Sequence, residues 1–175
     1  VLKKKYAAKK IRIHGDYHLG QIVYTGKDFV IIDFEGEPAR SLSERRLKRS
    51  ALRDVAGMMR SLHYAAYATL LLNRSVRKED LPVLEKAAEI WHTHTSGLFL
   101  KSYYETVKGL DILPKNKTDL ECLFQAYMLD KAVYELGYEL NNRPDWLFVP
   151  IRGIRHILDD YSLPGGQGSS KKTRK

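Results

Sequence analysis

The chain has 175 residues, 43% of them apolar, enough for one domain with its own core and short for two. Its single cysteine, Cys122, excludes a disulfide framework and a multi-cysteine zinc site and suits a reducing compartment. The longest apolar run, Ala65 to Leu72, is far short of the roughly 20 residues a bilayer requires, and no apolar segment follows the basic N-terminus, so the expectation is a soluble, cytoplasmic protein with no membrane partner.

The net charge of +9 is concentrated: five lysines in residues 1–10, "RRLKR" at Arg45 to Arg49, and "KKTRK" at the end. Such clusters suit nucleic acid or phosphate. No aromatic residues interleave with the tail and no helix carries an unbroken basic face, so solvated termini and one basic loop account better for the charge than a nucleic-acid partner.

In chain order, residues 1–10 read as a loosely ordered basic segment. A short β-like run at Ile11 to Ile13 precedes the loop "HGDYHLGQ", and two β runs, "QIVYT" and "DFVIIDF", follow, joined by a turn whose Gly26 supplies positive φ. "EGEPARSLSERRLKRS" reads as a long surface loop. Leu52, Val55, Met59, Leu62, Ala66 and Leu70 then recur at helical spacing, predicting a helix to about Asn73. Asp80 is placed to cap a third segment, with Pro82 in its first turn and Gly97 as an interruption. A further helix is predicted from about Thr118 to Leu140. "PDWLFVPIRGIRHILDDY" reads as a last helix with a break at Pro150. Residues 11–163 form the folded part, and residues 164–175 a disordered basic tail. The class is α+β, mainly α: a β-hairpin followed by a helical bundle.

The chemistry gathers in the first forty residues. Asp16 lies in a loop, an amide follows at Gln21, then the hairpin, then Asp33 at the end of an apolar strand. Phosphoryl transfer needs such a set: one carboxylate to accept the proton of the attacking hydroxyl, and an amide oxygen and second carboxylate to hold Mg²⁺ against nucleotide phosphates. Taken singly, His-Gly-Asp is more often a turn and Asp33 a loop cap. Taken in this order and spacing, the functional reading prevails. An acid closing the run "VIIDFE" needs a metal or hydrogen bonds to be accommodated there. His63, His92, His94 and His156 have no carboxylate or cysteine at ligand spacing. His92 and His94, two apart on a helix, point to different sides.

"HGDYHLGQ" and "IDFEGEP" resemble the catalytic and metal loops of the aminoglycoside-phosphotransferase and choline-kinase group, relatives of protein kinases. With "VIIDFEGEPARSLSERRLKRSALRDVAGMMRS" and "KAVYELGYELNNRPDW" the chain is similar to the maltokinases, which make maltose 1-phosphate from ATP and are often fused behind a trehalose synthase domain. The resemblance implies a protein-kinase-like C-terminal lobe, with ATP and Mg²⁺ as cofactors and maltose as partner. Asp16 would be the catalytic base and Gln21 and Asp33 magnesium ligands, Gln21 standing where kinases usually have Asn. Glu35, in place of a glycine of the protein-kinase loop, would meet a second metal or a sugar hydroxyl. Asp54 resembles the buried aspartate that holds the catalytic loop's backbone amides. His14, opening the loop, belongs to the same support. Lys131, Tyr134, Glu135, Tyr138 and Asn142 share one helix face, edged by Glu139 and Arg143. On residue types alone this is a solvated face laced by a Lys131 to Glu135 ion pair or a sugar site. The resemblance favours the sugar site.

A kinase of this type also needs a first lobe with a Gly-rich loop and a strand lysine. The ten residues before Ile11 hold neither, so the expected partners include an N-terminal kinase lobe, a fused trehalose synthase domain, and other copies of this chain through the apolar face left facing that lobe. Taken alone the chain is expected to be inactive. Two other readings stay open: a phosphotransferase for another small hydroxyl substrate such as an aminoglycoside or choline, and a non-catalytic basic module on a kinase-like scaffold.

Overall fold

The computed structural model describes residues 5–72 and 75–159. The tail call for 164–175, the last residues of the lobe (160–163) and residues 1–4 lie outside them.

After an isolated bridge between Ile11 and Arg49, the chain enters the 14–21 loop and a two-stranded antiparallel hairpin. β1 (Ile22–Tyr24) pairs with β2 (Phe29–Ile31) in the register Ile22 to Ile31, Val23 to Val30 and Tyr24 to Phe29. The turn closes through the Thr25 amide onto the Asp28 carbonyl at 2.9 Å, with Gly26 at φ 92°. The Ile11 to Ile13 run makes only the bridge, because no neighbouring strand continues it.

The segment expected as one long loop contains a short helix, α1 (Leu42–Arg45). Ser41 and Glu44 form a reciprocal capping box there, a signal present in "SLSE". α2 (Leu52–Leu72) is the core element, with Leu52, Val55, Ala56, Met58, Met59 and Leu62 all buried. α3 (Leu81–Thr106), α4 (Lys117–Asn142) and α5 (Phe148–Asp159) follow. α3, α4 and α5 each pack on α2, and α4 also packs on α5.

Three boundary expectations are corrected. Gly97 does not interrupt α3, whose neighbouring turns carry the helix through a single glycine at a cost of about 1 kcal/mol. Asp80 precedes α3 but makes no side-chain cap, because its carboxylate takes Arg77 Nε and Nη2 at 2.8 and 3.2 Å. Pro150 does not break α5. It sits in the first turn, where its missing N–H would have had no intrahelical acceptor. The chain ahead of α5 makes a 3₁₀ turn at Pro144–Trp146.

The order is thus a hairpin ahead of a mainly α bundle, as expected of a kinase-like C-terminal lobe. No described helix is long and apolar enough to cross a membrane. The hairpin presents apolar side chains: Tyr24 and Phe29 are 63% and 66% exposed, and Val23, Val30, Ile31, Ile32 and Phe34 are exposed beside them.

Candidate active site

The 14–21 loop is tied to the start of α2. Asp54 accepts the backbone N–H of His14 at 2.7 Å and of Gly15 at 2.9 Å through its two oxygens. Burial pushes the Asp54 carboxyl up, and the two amides and the His14 and Arg53 charges oppose that. The His14 ring reaches the other way, its Nε2 2.8 Å from the Ile32 carbonyl, so it joins the loop to the end of β2. Gly57 lets α2 approach closely: a Cβ there would stand 2.7 Å from the Tyr17 carbonyl oxygen. One turn on, Ser61 Oγ accepts the Leu19 N–H at 3.0 Å.

Held in this way, Asp16 projects into a cleft of about 600 Å³ between the loop and α4. His18 Nε2 lies 3.6 Å from Asp16 Oδ2 and Lys131 Nζ 3.5 Å from Oδ1. The polar contact with His18, reinforced by the Lys131 charge, outweighs partial burial and lowers the Asp16 carboxyl below its ordinary value. At neutral pH it is an ionised acceptor.

Gln21 and Asp33 lie together at the base of the hairpin, Gln21 Nε2 donating to Asp33 Oδ2 at 3.0 Å. Asp33 is the one described non-glycine residue at positive φ, 60°. A carboxylate can be held in that conformation, and it turns the acid out of the strand. The pair brings an amide, whose oxygen is the half not committed to Asp33, next to an exposed carboxylate, a donor set that fits Mg²⁺, which takes a few oxygen ligands and keeps its waters. Among the described residues no three His, Cys, Asp or Glu side chains gather as a metal centre.

The α4 face is only partly as expected. Lys131, Tyr134, Glu135, Tyr138, Glu139 and Arg143 line the cleft. Asn142 does not, because its amide donates back to the Tyr138 carbonyl at 2.8 Å. The Lys131 to Glu135 pair does not form: Lys131 bridges Asp16 and Glu37, and Glu135 instead takes Arg60 Nε at 2.8 Å. Glu139 is no edge residue. It is 1% exposed, gripped by Arg143 Nε and Nη2 at 2.9 and 2.8 Å, and receives Tyr64 Oη–H at 3.1 Å. Arg143 in turn lies over the rings of Trp146 and Tyr138, at 4.4 and 5.4 Å. Burial, with Glu37 beside it, raises the Tyr134 hydroxyl to about 12, so it remains a donor.

Glu35 is exposed and does not line the cleft. Glu37 does. Gly36, at φ 81°, turns the chain between the two acids, a signal that "EGEP" carries in sequence. Arg60 and Tyr64 carry no such signal, and His18 reads in sequence only as a side chain bonded to the backbone. The first two look like ordinary α2 positions until α4 is docked on them. The structure further gathers His63, His92 and His156 from three helices, with ring centroids 5.4 Å and 6.4 Å apart.

No family model matches the chain. Over 152 residues it is 27% identical to a glucosamine kinase of Streptacidiphilus jiangxiensis, covering 86% of this chain and 32% of that protein. Over 147 residues it is 26% identical to a glucosamine kinase of Mycolicibacterium smegmatis, covering 84% and 34%. A solved glucosamine kinase structure aligns at TM-score 0.71 with 26% identity, covering 86% of this chain and 35% of that one. Another, in complex with glucosamine, ADP and inorganic phosphate, aligns at TM-score 0.70 with 26% identity, covering 85% and 33%. The chain therefore spans about a third of the length of the relatives it matches. The likeness is to sugar kinases of kinase-like fold and does not single out maltokinases.

Proposed function

We propose that this chain is the C-terminal lobe of an ATP-dependent sugar kinase, with Asp16 as the base and the α4 face as the sugar site. The observation that carries the reading is the joint placement of an ionised, loop-held Asp16, five polar or aromatic α4 side chains and Arg143 at that helix's end around one cleft. The kinship with glucosamine kinases supports the same class.

In the reaction, a sugar hydroxyl hydrogen-bonded to Asp16 loses its proton to that carboxylate as its oxygen bonds to the γ-phosphorus. The bond from that phosphorus to the β–γ bridging oxygen breaks, and ADP leaves. Lys131 and His18 keep Asp16 ionised until the hydroxyl arrives. Asp54 keeps the loop's backbone in place, so the base is positioned before substrate binds. Gln21 and Asp33 would hold Mg²⁺, which when bound neutralises charge on the phosphates. An N-terminal lobe would complete the nucleotide site.

Glucosamine, the sugar of the relatives' names, is the first acceptor to test. A neutral sugar, with maltose as the named candidate, is favoured by one observation: each cleft carboxylate already has a cationic partner. Asp16 and Glu37 have Lys131, Glu135 has Arg60, and Glu139 has Arg143. The test is a full-length protein containing this chain, assayed with ATP and Mg²⁺ against glucosamine and maltose, with choline and an aminoglycoside alongside. Turnover of either sugar supports the reading and chooses the acceptor. Turnover confined to choline or the aminoglycoside, or absent altogether, refutes it.

A further inference from the structure

Behind the cleft wall, three helices meet at one guanidinium. Arg60 of α2 is 1% exposed and reaches Glu135 of α4 with Nε only, at 2.8 Å from Oε2. Its other end lies flat against α5, where Gly153 leaves no room for a side chain: a Cβ there would overlap Nη1 and stand 2.6 Å from Cζ. Nη2 is buried with no hydrogen-bond partner. The guanidinium is therefore held by shape on one side and by a single carboxylate oxygen on the other. Glu135 lines the cleft, and its Oε1 accepts no hydrogen bond from any described residue.

A buried ion pair of this kind is a poor device for stability, because desolvating both ions offsets most of their attraction. It is a good device for aim. A carboxylate on a long, flexible side chain would otherwise take several rotamers and, half-desolvated, would take up a proton. With one oxygen committed to a cation that cannot move, the other keeps both its direction and its charge.

We infer that Arg60, seated on Gly153, is a positioning residue that fixes Glu135 as an ionised acceptor for a donor group of the sugar, either a hydroxyl or an ammonium. This rests on the sugar-site reading above. The pair Arg60 and Gly153, 93 positions apart and neither in the cleft, then sets sugar affinity through Glu135. Burial raises the Glu135 carboxyl and Arg60 opposes that rise, so weakening the contact should push its titration toward neutrality.

The experiment follows the Glu135 carboxyl by ¹³C NMR titration in the chain, its Arg60→Gln and Arg60→Lys variants, and Gly153→Ala. Arg60→Gln is expected to move the midpoint up by at least about one pH unit, and Arg60→Lys to recover part of that shift. Gly153→Ala keeps both charged groups and removes only the seat, and should move it in the same direction. In the full-length protein the same variants should raise the sugar KM about tenfold or more, increasingly so at lower pH, with the ATP KM unchanged. A Glu135 midpoint equal in the chain and in every folded variant overturns the inference. If the midpoint shifts as expected but the parent protein uses no sugar, the sugar-kinase reading fails, and with it the sugar-binding half of this inference.

Discussion

Acidifying the protein from about pH 7.5 to about pH 5 should remove close to 2 kcal/mol of stability through His63 alone. This imidazole is 2% exposed, and both its ring nitrogens lack a hydrogen-bond partner. Burial, and then the nearby Arg60, His92, His156 and Arg152, lowers its pKa from 6.5 to about 2. The folded state therefore keeps it neutral while the unfolded chain protonates it. A group depressed on folding contributes fully above its unfolded value, and that contribution is lost as pH falls toward the folded value. At pH 5 the loss is RT ln(1 + 10^1.5), about 2 kcal/mol, since native protonation is negligible there. His92, lowered for the same first reason, adds loss of the same sign. Glu135 and Asp54 are raised and work the other way, so the absolute curve mixes signs. The clean quantity is the difference between the parent chain and His63→Gln, measured by urea unfolding at the two pH values. The variant should lose about 2 kcal/mol less than the parent on acidification. An equal loss would mean that His63 is not held neutral in the folded state.

Gly57→Ala should destabilise by about 1–3 kcal/mol and displace the 14–21 loop, because the new methyl meets the Tyr17 carbonyl rather than a side chain that can give way; thermal unfolding and amide chemical-shift changes at residues 14–19 together check it. In a full-length protein, Asp16→Asn should cut kcat by orders of magnitude with nucleotide binding nearly unchanged, whereas Asp33→Asn should also weaken Mg²⁺-dependent nucleotide binding; near-normal rates for both would sink the mechanism. The exposed apolar hairpin should drive self-association of the chain when taken alone, visible as a concentration-dependent mass in light scattering and relieved by Phe29→Ser and Val30→Thr.

Helices were legible wherever apolar residues recur every three or four positions. α2 shows this best, because its contacts are with three other helices and its pattern is a core pattern. Punctuation misled where local context absorbed it: Gly97 is carried by the turns of a long helix, and Pro150 falls in a first turn that tolerates it. The order Asp16, Gln21, Asp33 was visible because loop–strand–strand connectivity keeps those residues close along the chain. The partners on α4 were not. Periodicity marks a polar face but not which charges it will meet, so Lys131 was expected to pair four residues along its own helix. Asp16 and Glu37, more than ninety positions away, offer it a half-buried site where the attraction is stronger than on a solvated face. Arg60 illustrates the limit most sharply: an arginine within an apolar helix pattern reads as the polar edge of a stripe, and only the docking of Glu135 and Gly153 shows it to be interior.

One face of α2 underlies the whole site. Asp54, Gly57, Ser61 and Tyr64 follow at spacings of three, four and three, a single helical stripe, with Arg60 beside it. The first three hold the 14–21 loop, at His14 and Gly15, at Tyr17 and at Leu19. Arg60 and Tyr64 hold Glu135 and Glu139 of α4. The distance between Asp16 and the α4 carboxylates Glu135 and Glu139 is therefore set by the 1.5 Å rise and fixed rotation of one buried helix, not by the loop or by α4 separately. A helix packed on by three neighbours cannot slide or turn without opening the core, because interiors are close-packed. Cleft geometry and core packing are thus the same constraint here, and the stripe's polar residues stand where a purely structural helix would carry more leucine.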